Sequence, residues 1–321
     1  MRAATSATVH VHENIVRLIG NIEKVIFGKR EVVKQAVTGL LARGHILIED
    51  VPGIGKTTLA HGLAHSIDCK FNRIQFTSDM VPAEIVGVSI LNQKTNEFEF
   101  RSGPVFANVV LADEINRTPP KTQSALLEAM SEAHVSVDGT THAMPQPFLV
   151  LATQNPIEYE GTYNLPESQL DRFMLRLEMG YPGSEDEIHI MRRRDPYRAL
   201  GDLDPVLSAT QVLELQELVG SVRVDDCVAH YMLAIVQSTR KHDYVMLGAS
   251  PRASLSFYEV CQAWALVSGR DYVNPDDVRR MAVPVLSHRI LVKSRDSSPA
   301  AAARARENVI LDILKRLPIP Q

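Results

Sequence analysis

Short apolar runs that end in polar residues recur in the first half of the chain, at 45–49, 109–112 and 148–152. Apolar runs of this length predict strands that are buried on both faces of a sheet. A polar group at the tip of a buried strand is costly unless it binds something. The three polar ends therefore predict a sheet edge that faces a ligand.

Elsewhere the apolar residues recur at three- and four-residue steps, which predicts helices. The predicted helices cover 15–27, 31–41, 209–219, 225–241, 251–268 and 275–286. Ser250 and Asn274 each precede a proline and are typical N-caps. A further apolar stripe at 309–314 predicts a terminal helix packed on the others. Proline and glycine interrupt the pattern at 180–184, which places a domain boundary there.

Two segments alternate apolar and polar residues around a polar turn, a pattern typical of β-hairpins. The first covers 88–101. The second covers 134–144 and carries Asp138 and Gly139 between two strand-like runs. An Asp-Gly pair in this position is the strongest short-range hairpin signal, so we predict a hairpin in each segment.

The first apolar run continues into HILIEDVPGIGKTTLA, where two glycines precede a lysine and two threonines. Between a strand and a helix, the backbone N–H groups of such a turn cradle phosphate groups. Lys56 is placed to reach the β- and γ-phosphates, and Thr57 to put its hydroxyl on Mg²⁺. The full phosphate-loop pattern has glycine at the position of Asp50. This carboxylate must therefore point away from the phosphates or be paired.

The ends of the next two apolar runs supply the second half of a nucleotide site. Asp113 is suited to hold Mg²⁺ through water, and Glu114 to polarise the water that attacks the γ-phosphorus. Asn155, after the third run, can orient that water together with Glu114. The alternatives are a solvated acidic turn for the two carboxylates and a structural cap before Pro156 for the amide.

Composition and charge exclude several classes of protein. Of 321 residues, 45% are apolar and 22% are charged, enough for one large core and a smaller domain. The net charge of −4 argues against binding nucleic acid along the whole surface. No apolar run approaches the length of a membrane span. The three cysteines are far apart and odd in number, which predicts buried thiols in a reducing cytosol, and we expect a cytoplasmic location.

Four blocks of sequence resemble the MoxR family of AAA+ ATPases, namely VPGIGKTTLA, VVLADEINRTPPKTQSALLEAM, VLATQNPIEYEGTYNLPESQLDRF and GASPRA. The resemblance implies an α/β fold in which a P-loop AAA+ parallel sheet is flanked by helices, with two β-hairpin insertions and a C-terminal all-helical lid. It implies a nucleotide-binding domain at 1–182 and a lid domain at 183–321. It also implies a ring in which each ATP is shared between two subunits.

The resemblance assigns the nucleotide and metal contacts to matching residues. Those implied to bind nucleotide are Gly53, Ile54, Gly55, Lys56, Thr57 and Thr58. Mg²⁺ is implied at Thr57 and Asp113, and the segment 25–28 is similar to the one that contacts adenine. Glu114 matches the general base of the family, and Asn155 matches its first sensor.

Two arginines complete the implied site. Arg172 matches the arginine finger that reaches the neighbouring subunit's γ-phosphate, where a cation stabilises the transition state. The alternative is a salt bridge to Asp171 or Glu167. Arg252, one residue after a proline suited to a first helical turn, matches the second sensor in the lid. Its alternative is a solvated helix residue.

The resemblance therefore implies an enzyme that uses ATP and Mg²⁺, forms a homo-oligomeric ring, expected to be a hexamer, and remodels or matures client proteins as a chaperone. The usual partner in this family is a protein with a von Willebrand factor A domain, and the two hairpins are the expected contacts. Neither a membrane span nor nucleic acid binding is expected. Two alternatives stay open: the ATPase subunit of a metal chelatase, and a nucleotide-dependent scaffold or switch with little hydrolysis.

Overall fold

The computed structural model describes residues 2–155, 162–192, 200–293 and 299–320. In chain order its strands are β1 (His45–Glu49), β2 (Phe71–Gln75), β3 (Gly87–Asn92), β4 (Glu97–Ser102), β5 (Val109–Asp113), β6 (His134–Val137), β7 (Thr140–Ala143), β8 (Leu149–Gln154), β9 (Phe173–Leu177), β10 (Val245–Leu247) and β11 (Leu291–Val292). Its helices are α1 (Arg2–Glu23), α2 (Arg30–Leu41), α3 (Lys56–Ser66), α4 (Pro82–Val86), α5 (Pro120–Glu132), α6 (Glu167–Leu170), α7 (Ser184–Arg192), α8 (Ala209–Val219), α9 (Asp226–Thr239), α10 (Pro251–Val267), α11 (Pro275–Leu286) and α12 (Pro299–Arg316). Short 3-10 helices cover Ile115–Arg117 and Ser287–Arg289.

A five-stranded parallel sheet, in the order β2-β5-β8-β1-β9, positions the polar strand ends. The three strands predicted from the apolar runs are confirmed as β1, β5 and β8. Strand β2 was missed by the sequence pattern. Because it lies at the edge of the sheet, only Ile74 of its five residues is buried, and its sequence FNRIQ contains no apolar run.

The central strands are apolar throughout because each face of the sheet has its own core. Ile46 and Ile48 of β1 belong to a buried cluster that includes residues of α1, α2 and α3. Leu47, between them, belongs to a second cluster that includes residues of α4 and α5. Successive side chains of a strand point to opposite faces, so burial of both faces removes any polar alternation.

The helices predicted for the second half are confirmed as α8, α9, α10 and α11. Both predicted N-caps are present: the Ser250 hydroxyl accepts a hydrogen bond from the Ala253 N–H at 3.1 Å, and the Asn274 side chain accepts one from the Asp277 N–H at 2.9 Å. The predicted terminal helix, α12, packs on α9 and α11. The apolar periodicity therefore located these helices correctly.

The core of these C-terminal helices is continuous with the core on one face of the sheet. Phe257 and Trp264 of α10 share a buried cluster with Leu18 of α1 and Val33 of α2. Helix α10 packs directly on α2. The N-terminal helices therefore join the sheet to the C-terminal helical region.

Both predicted hairpins are confirmed. Strands β3 and β4 pair antiparallel, as do β6 and β7. At the turn of the second hairpin Asp138 and Gly139 have φ of +50° and +79°, the left-handed conformation of a two-residue hairpin turn. The Phe100 ring of β4 stacks on the His142 ring of β7, with 3.8 Å between the ring centroids. The two hairpins thus contact each other.

Two sequence expectations were wrong. Helix α1 begins at Arg2, well before the predicted start at position 15, because a helix can continue beyond the part of it that has an apolar face. All three cysteines were expected to be buried thiols, but only Cys261 is buried: Cys69 is half-buried and Cys227 is exposed. Cys227 is the clearest exception. It lies in the first turn of α9, on the side that faces solvent.

Candidate functional site

The glycine turn after β1 has the backbone conformation that a phosphate-binding loop requires. Gly53 and Gly55 have φ of +84° and +95°, a backbone conformation that residues with a side chain adopt only with strain. A Cβ atom on Gly53 would meet no other atom within 4 Å, so the turn is open on that side. Helix α3 begins at Lys56, directly after the turn, and its N-terminus adds a partial positive charge. The turn can therefore surround an anion with N–H groups.

A cavity of about 390 Å³ lies beside this turn, within the usual size range of ligand pockets. On the turn side it is lined by Gly53, Ile54, Gly55 and Thr58. Its apolar wall includes Val25, Ile26, Phe27, Met179 and Ile190. The segment similar to an adenine-contacting one thus lies across the cavity from the glycine turn. Thr57, the second residue of α3, is half-buried.

Asp50, which replaces a glycine of the phosphate-loop pattern, is held by backbone groups. One carboxylate oxygen accepts a hydrogen bond from the Val51 N–H at 2.8 Å. The other accepts one from the Gly180 N–H at 2.6 Å, just after β9. The Asp50 carboxylate is therefore paired with N–H donors. It connects the glycine turn to the segment that follows β9.

The Lys56 ammonium lies at the centre of the acidic strand ends. It donates a hydrogen bond to the Asp50 carbonyl oxygen at 2.8 Å. Burial lowers the pKa of Lys56, while the nearby carboxylates of Asp113, Asp50 and Glu114 oppose this decrease. The structure thus brings together charged groups from the ends of β1 and β5. A phosphate group that binds here would meet a cation already held by the loop.

Asp113 is bound on both carboxylate oxygens. The Thr153 hydroxyl, near the end of β8, donates to one oxygen at 2.5 Å. The Arg73 guanidinium of β2 lies 2.6 Å from the other oxygen. Arg73 is half-exposed, so this ion pair can open to solvent. A metal ion at Asp113 would compete with Arg73 for the same oxygen.

Glu114 has an unusual backbone conformation for a residue with a side chain, with φ of +59°. Its N–H donates to the Thr153 hydroxyl oxygen at 2.9 Å, which fixes it next to Asp113. Its carboxylate accepts a hydrogen bond from the Gln75 amide at 2.7 Å and lies 3.3 Å from the Arg117 guanidinium. A left-handed residue costs of order 1 kcal/mol, and such strain is concentrated at functional sites.

The remaining three predicted residues lie on different elements. Asn155 is buried and follows β8, and residues 156–161 after it lie outside the described part of the chain. Arg172 donates a hydrogen bond to the Leu127 carbonyl oxygen at 2.8 Å and another to the Ser131 hydroxyl, both on α5. Arg252 is exposed in the first turn of α10.

Three residues of this site were not assigned by the sequence argument: Arg73, Gln75 and Thr153. Arg73 and Gln75 belong to the edge strand that the pattern missed, and each contacts a carboxylate of β5 or its end. Thr153 bridges Asp113 and Glu114 through one hydroxyl. Polar residues at alternate positions of FNRIQ are the signal that could have indicated Arg73 and Gln75.

The oxygen donors present are suited to Mg²⁺, which prefers carboxylate and hydroxyl oxygens and keeps several waters. The Asp113 carboxylate is 13% exposed and is already organised by Thr153. Thr57 supplies a hydroxyl in the first turn of α3. These groups therefore fit the metal site that the sequence predicts.

Within the described residues, the structure contains no helix that combines the length and apolar character of a membrane span.

Comparison with known proteins defines the class of protein first. Residues 45–175 match the family model described as the ATPase family associated with various cellular activities, and residues 237–313 match the AAA lid domain. The chain is 36% identical to a solved structure of a candidate ATPase from Cytophaga hutchinsonii, with a TM-score of 0.89 over 100% of this chain and 99% of that one. The fold is therefore that of an AAA+ P-loop protein, a parallel sheet with helices and a C-terminal helical lid.

Two curated relatives define the family more narrowly. The uncharacterized protein YeaC of Bacillus subtilis is 46% identical over 97% of this chain and 96% of its own length. The chaperone MoxR1 of Mycobacterium tuberculosis is 43% identical over 98% of this chain and 84% of its own length. The chain belongs to the MoxR family of AAA+ ATPases.

Proposed function

We propose that this protein hydrolyses ATP in a Mg²⁺-dependent reaction at the carboxyl edge of its sheet. The observation that carries the proposal is that the Lys56 ammonium, at the start of α3, lies close enough to Asp113 and Glu114, at the end of β5, for both carboxylates to affect its pKa. Membership of an AAA+ family supports it.

The proposed roles follow from the position of each group. The N–H groups of the glycine turn and Lys56 bind the β- and γ-phosphates, while Thr57 and Asp113 hold Mg²⁺. When bound, Mg²⁺ supplies positive charge that neutralises the phosphate oxygens. Glu114 accepts a proton from the attacking water, which is oriented by Asn155. The water oxygen bonds to the γ-phosphorus as the bond to the β–γ bridging oxygen breaks, leaving ADP and phosphate.

The first test compares two substitutions with a matched control. Lys56→Ala should abolish ATP binding, because it removes the cation that faces the phosphates. Glu114→Gln should keep ATP binding but lower kcat by at least about 100-fold, the usual effect of losing a general base. Steady-state phosphate release and nucleotide titration measure both.

Glu214→Gln is the control for charge, since Glu214 is exposed on α8, which packs on α2 and α10. It should hydrolyse ATP at the parent rate. Turnover by Glu114→Gln at that same rate would contradict the general-base role. Tight ATP binding without turnover in the parent chain would favour the scaffold instead.

We also propose that the subunits form a ring, expected to be a hexamer, in which Arg172 acts on the neighbouring ATP and Arg252 on its own. In mixed assemblies, inactive Arg172→Ala subunits and inactive Lys56→Ala subunits should partly restore turnover, because each supplies what the other lacks. Activity of mixtures at a constant total concentration measures this. No recovery at any mixing ratio would count against a finger acting across the interface.

We infer further that the ring acts on a protein client, with a von Willebrand factor A-domain protein as partner. The similarity to MoxR1, which is named a chaperone, supports a protein client. So does the first hairpin, where Phe98 is 75% exposed and Leu91, its cross-strand neighbour, is 45% exposed. Exposed apolar groups of this size mark interaction surfaces.

The partner can be tested with the Glu114→Gln chain in ATP, which should hold its assembled form. A co-expressed von Willebrand factor A-domain protein encoded in the same organism should co-purify with it, and adding Phe98→Ser should reduce the recovery. Retention of that partner unchanged by Phe98→Ser would place the contact elsewhere.

A further inference from the structure

The loop that carries Arg172, between α6 and β9, is held by residues of the C-terminal helical region. The Asp171 carboxylate accepts a hydrogen bond from the Ser250 hydroxyl at 2.9 Å. Its other oxygen lies 3.4 Å from the Arg289 guanidinium, whose side chain is only 1% exposed. The Phe173 carbonyl oxygen, two residues after Asp171, accepts a hydrogen bond from the Arg289 guanidinium at 2.8 Å. The lid thus contacts the residues on either side of Arg172.

Ser250 connects this loop to the helix that carries Arg252. Its hydroxyl accepts the Ala253 N–H at 3.1 Å as the N-cap of α10, and donates its own hydrogen to Asp171. A hydroxyl has one donor and can do both at once. Arg252 lies in the capped turn. One hydroxyl group therefore lies between the turn of Arg252 and the carboxylate adjacent to Arg172.

The electrostatics of this contact involve the same residues. Burial lowers the pKa of Arg289 to about 10, against the attraction of Asp171, and the charge of Arg252 adds to the decrease. Arg252 is thus close enough to affect the cation that pairs with Asp171. A phosphate that binds Arg252 would weaken this repulsion.

At the other end, Arg172 is held by α5 through the Leu127 carbonyl oxygen and the Ser131 hydroxyl. These contacts, together with those of the adjacent Asp171, determine where the Arg172 guanidinium lies. A shift of about 1 Å in the backbone at Asp171 would be enough to change the action of such a group on a neighbour's ATP.

We propose that Asp171 is a positioning residue that couples adjacent ATP sites, by linking the turn of Arg252 to the placement of Arg172 through Ser250. The inference rests on the proposed function, because it takes Arg252 to bind the subunit's own ATP and Arg172 to act on the next one. Coupling of this kind requires an element with two arrangements that both sites bias. The loop at 170–173 is that element.

The test distinguishes the role of Ser250 as the N-cap of α10 from its role as a hydrogen-bond donor to Asp171. Ser250→Asp keeps an N-cap as good as serine but removes the hydroxyl donor and places a second carboxylate beside Asp171. Ser208→Asp is the matched control, because Ser208 also caps a helix, α8, through the Gln211 N–H, and it lies outside the link between Arg252 and Arg172. Both substitutions are made in the Glu114→Gln chain, in which ATP persists.

Hydrogen exchange with and without ATP is the readout, since a purely structural role would not depend on nucleotide. In the unsubstituted Glu114→Gln chain and in the Ser208→Asp control, ATP should slow exchange about 5-fold or more at 252–255 and at 170–173. With Ser250→Asp the change at 252–255 should persist and the change at 170–173 should be lost. Asp171→Ala, which removes the acceptor from the other side, should give the same loss.

An ATP-dependent change at 170–173 that survives both Ser250→Asp and Asp171→Ala would overturn the inference. So would a response at 252–255 with none at 170–173 in the unsubstituted Glu114→Gln chain. Failure of the proposed function looks different: if Arg252 does not bind the subunit's own ATP, ATP leaves 252–255 unchanged in every variant, and if the protein does not hydrolyse ATP, the parent chain shows no phosphate release.

Discussion

At the scale of the residue, Asp50 shows how a departure from a motif is accommodated. Its carboxylate accepts backbone N–H groups of Val51 and Gly180, and its carbonyl accepts the Lys56 ammonium. A charged acceptor of N–H groups makes stronger hydrogen bonds than a neutral one. The side chain thus fastens the glycine turn to the chain after β9, a connection that glycine at this position could not make.

Asp50→Ala should therefore lower the free energy of unfolding by about 1 kcal/mol, because it leaves two partly buried N–H donors without their acceptor. It should also weaken ATP binding, because the glycine turn loses its attachment. Asp50→Asn retains one acceptor oxygen and should lose less of both. Urea denaturation and nucleotide titration measure the two effects. Equal stability of all three chains would contradict the anchoring role.

The predictability of the site differs from residue to residue. Lys56, Asp113 and Asn155 could be predicted as site residues because each belongs to a local pattern: a glycine turn after a strand for Lys56, and the polar end of an apolar run for the other two. The Arg73 ion pair and the Gly180 contact of Asp50 could not, because their partners are 40 and 130 residues apart in sequence. Which side chains meet across a sheet depends on the order of the strands, and no local sequence pattern specifies that order.

At the scale of the element, β1 is positioned by its first side chain, His45. One ring nitrogen accepts the Val150 N–H of β8 at 3.0 Å, and the other lies 2.9 Å from the Met130 carbonyl oxygen of α5. These partners require the neutral ring, with its hydrogen toward Met130. Burial lowers the pKa of His45 to about 4, although the Met130 carbonyl opposes this.

The sign of the resulting pH dependence follows from the proton count. In the unfolded chain the pKa of His45 is near 6.5, so between pH 6.5 and 4 the unfolded state binds the proton that the folded state does not. The contribution of this residue to stability is therefore complete at neutral pH. About 2 kcal/mol of it should be lost between pH 7 and pH 5.

Urea denaturation at several pH values tests this expectation. His45→Gln should flatten the dependence over the same range, whereas His230→Gln, an exposed residue of α9, should leave it unchanged. A dependence of the same steepness in His45→Gln would assign the effect to other groups. His288, also buried and with its pKa lowered by burial, is the next candidate.

Secondary structure was predictable wherever an element has one clear period or a buried run. The helices α8 and α11 and strand β1 agree with the predicted limits, because the apolar residues of each helix face one core and those of the strand are buried on both faces of the sheet. Strand β2 was not predictable, because it is stabilised by pairing with its neighbour at the edge of the sheet. The first turns of α1 were not predictable either, because they continue a helix without needing an apolar face. Tertiary context decided both.

At the scale of the whole molecule, Arg176 joins the sheet to the last helix. The side chain, 5% exposed on β9, contacts the carboxylates of Glu49, Glu178 and Glu307, the last of them on α12 at 2.6 Å. Burial alone would lower the pKa of Arg176, but Glu49 and its neighbours outweigh burial and raise it. The guanidinium therefore stays charged and ties α12 to the strand that leads into the glycine turn.

Arg176→Met should lower the free energy of unfolding by about 3–5 kcal/mol, because it leaves the Glu49 carboxylate, only 10% exposed, without its cation. Guanidinium denaturation measures the loss. Arg223→Met is the control, since its ion pair with Asp225 is exposed on both sides and should contribute less than about 1 kcal/mol. Equal effects of the two substitutions would show that the buried pair gives no more than a surface one.

The core shared by α10, α1 and α2 has a consequence for how such proteins can be recombined. A boundary drawn through 180–184 separates the two regions along the sequence, yet Phe257 and Trp264 pack in one cluster with Leu18 and Val33 from the opposite end of the chain. Grafting the C-terminal helices of a relative onto this sheet should therefore require that α1 and α2 be exchanged with them. The smallest exchangeable unit combines helices from both ends of the chain and is not one contiguous segment.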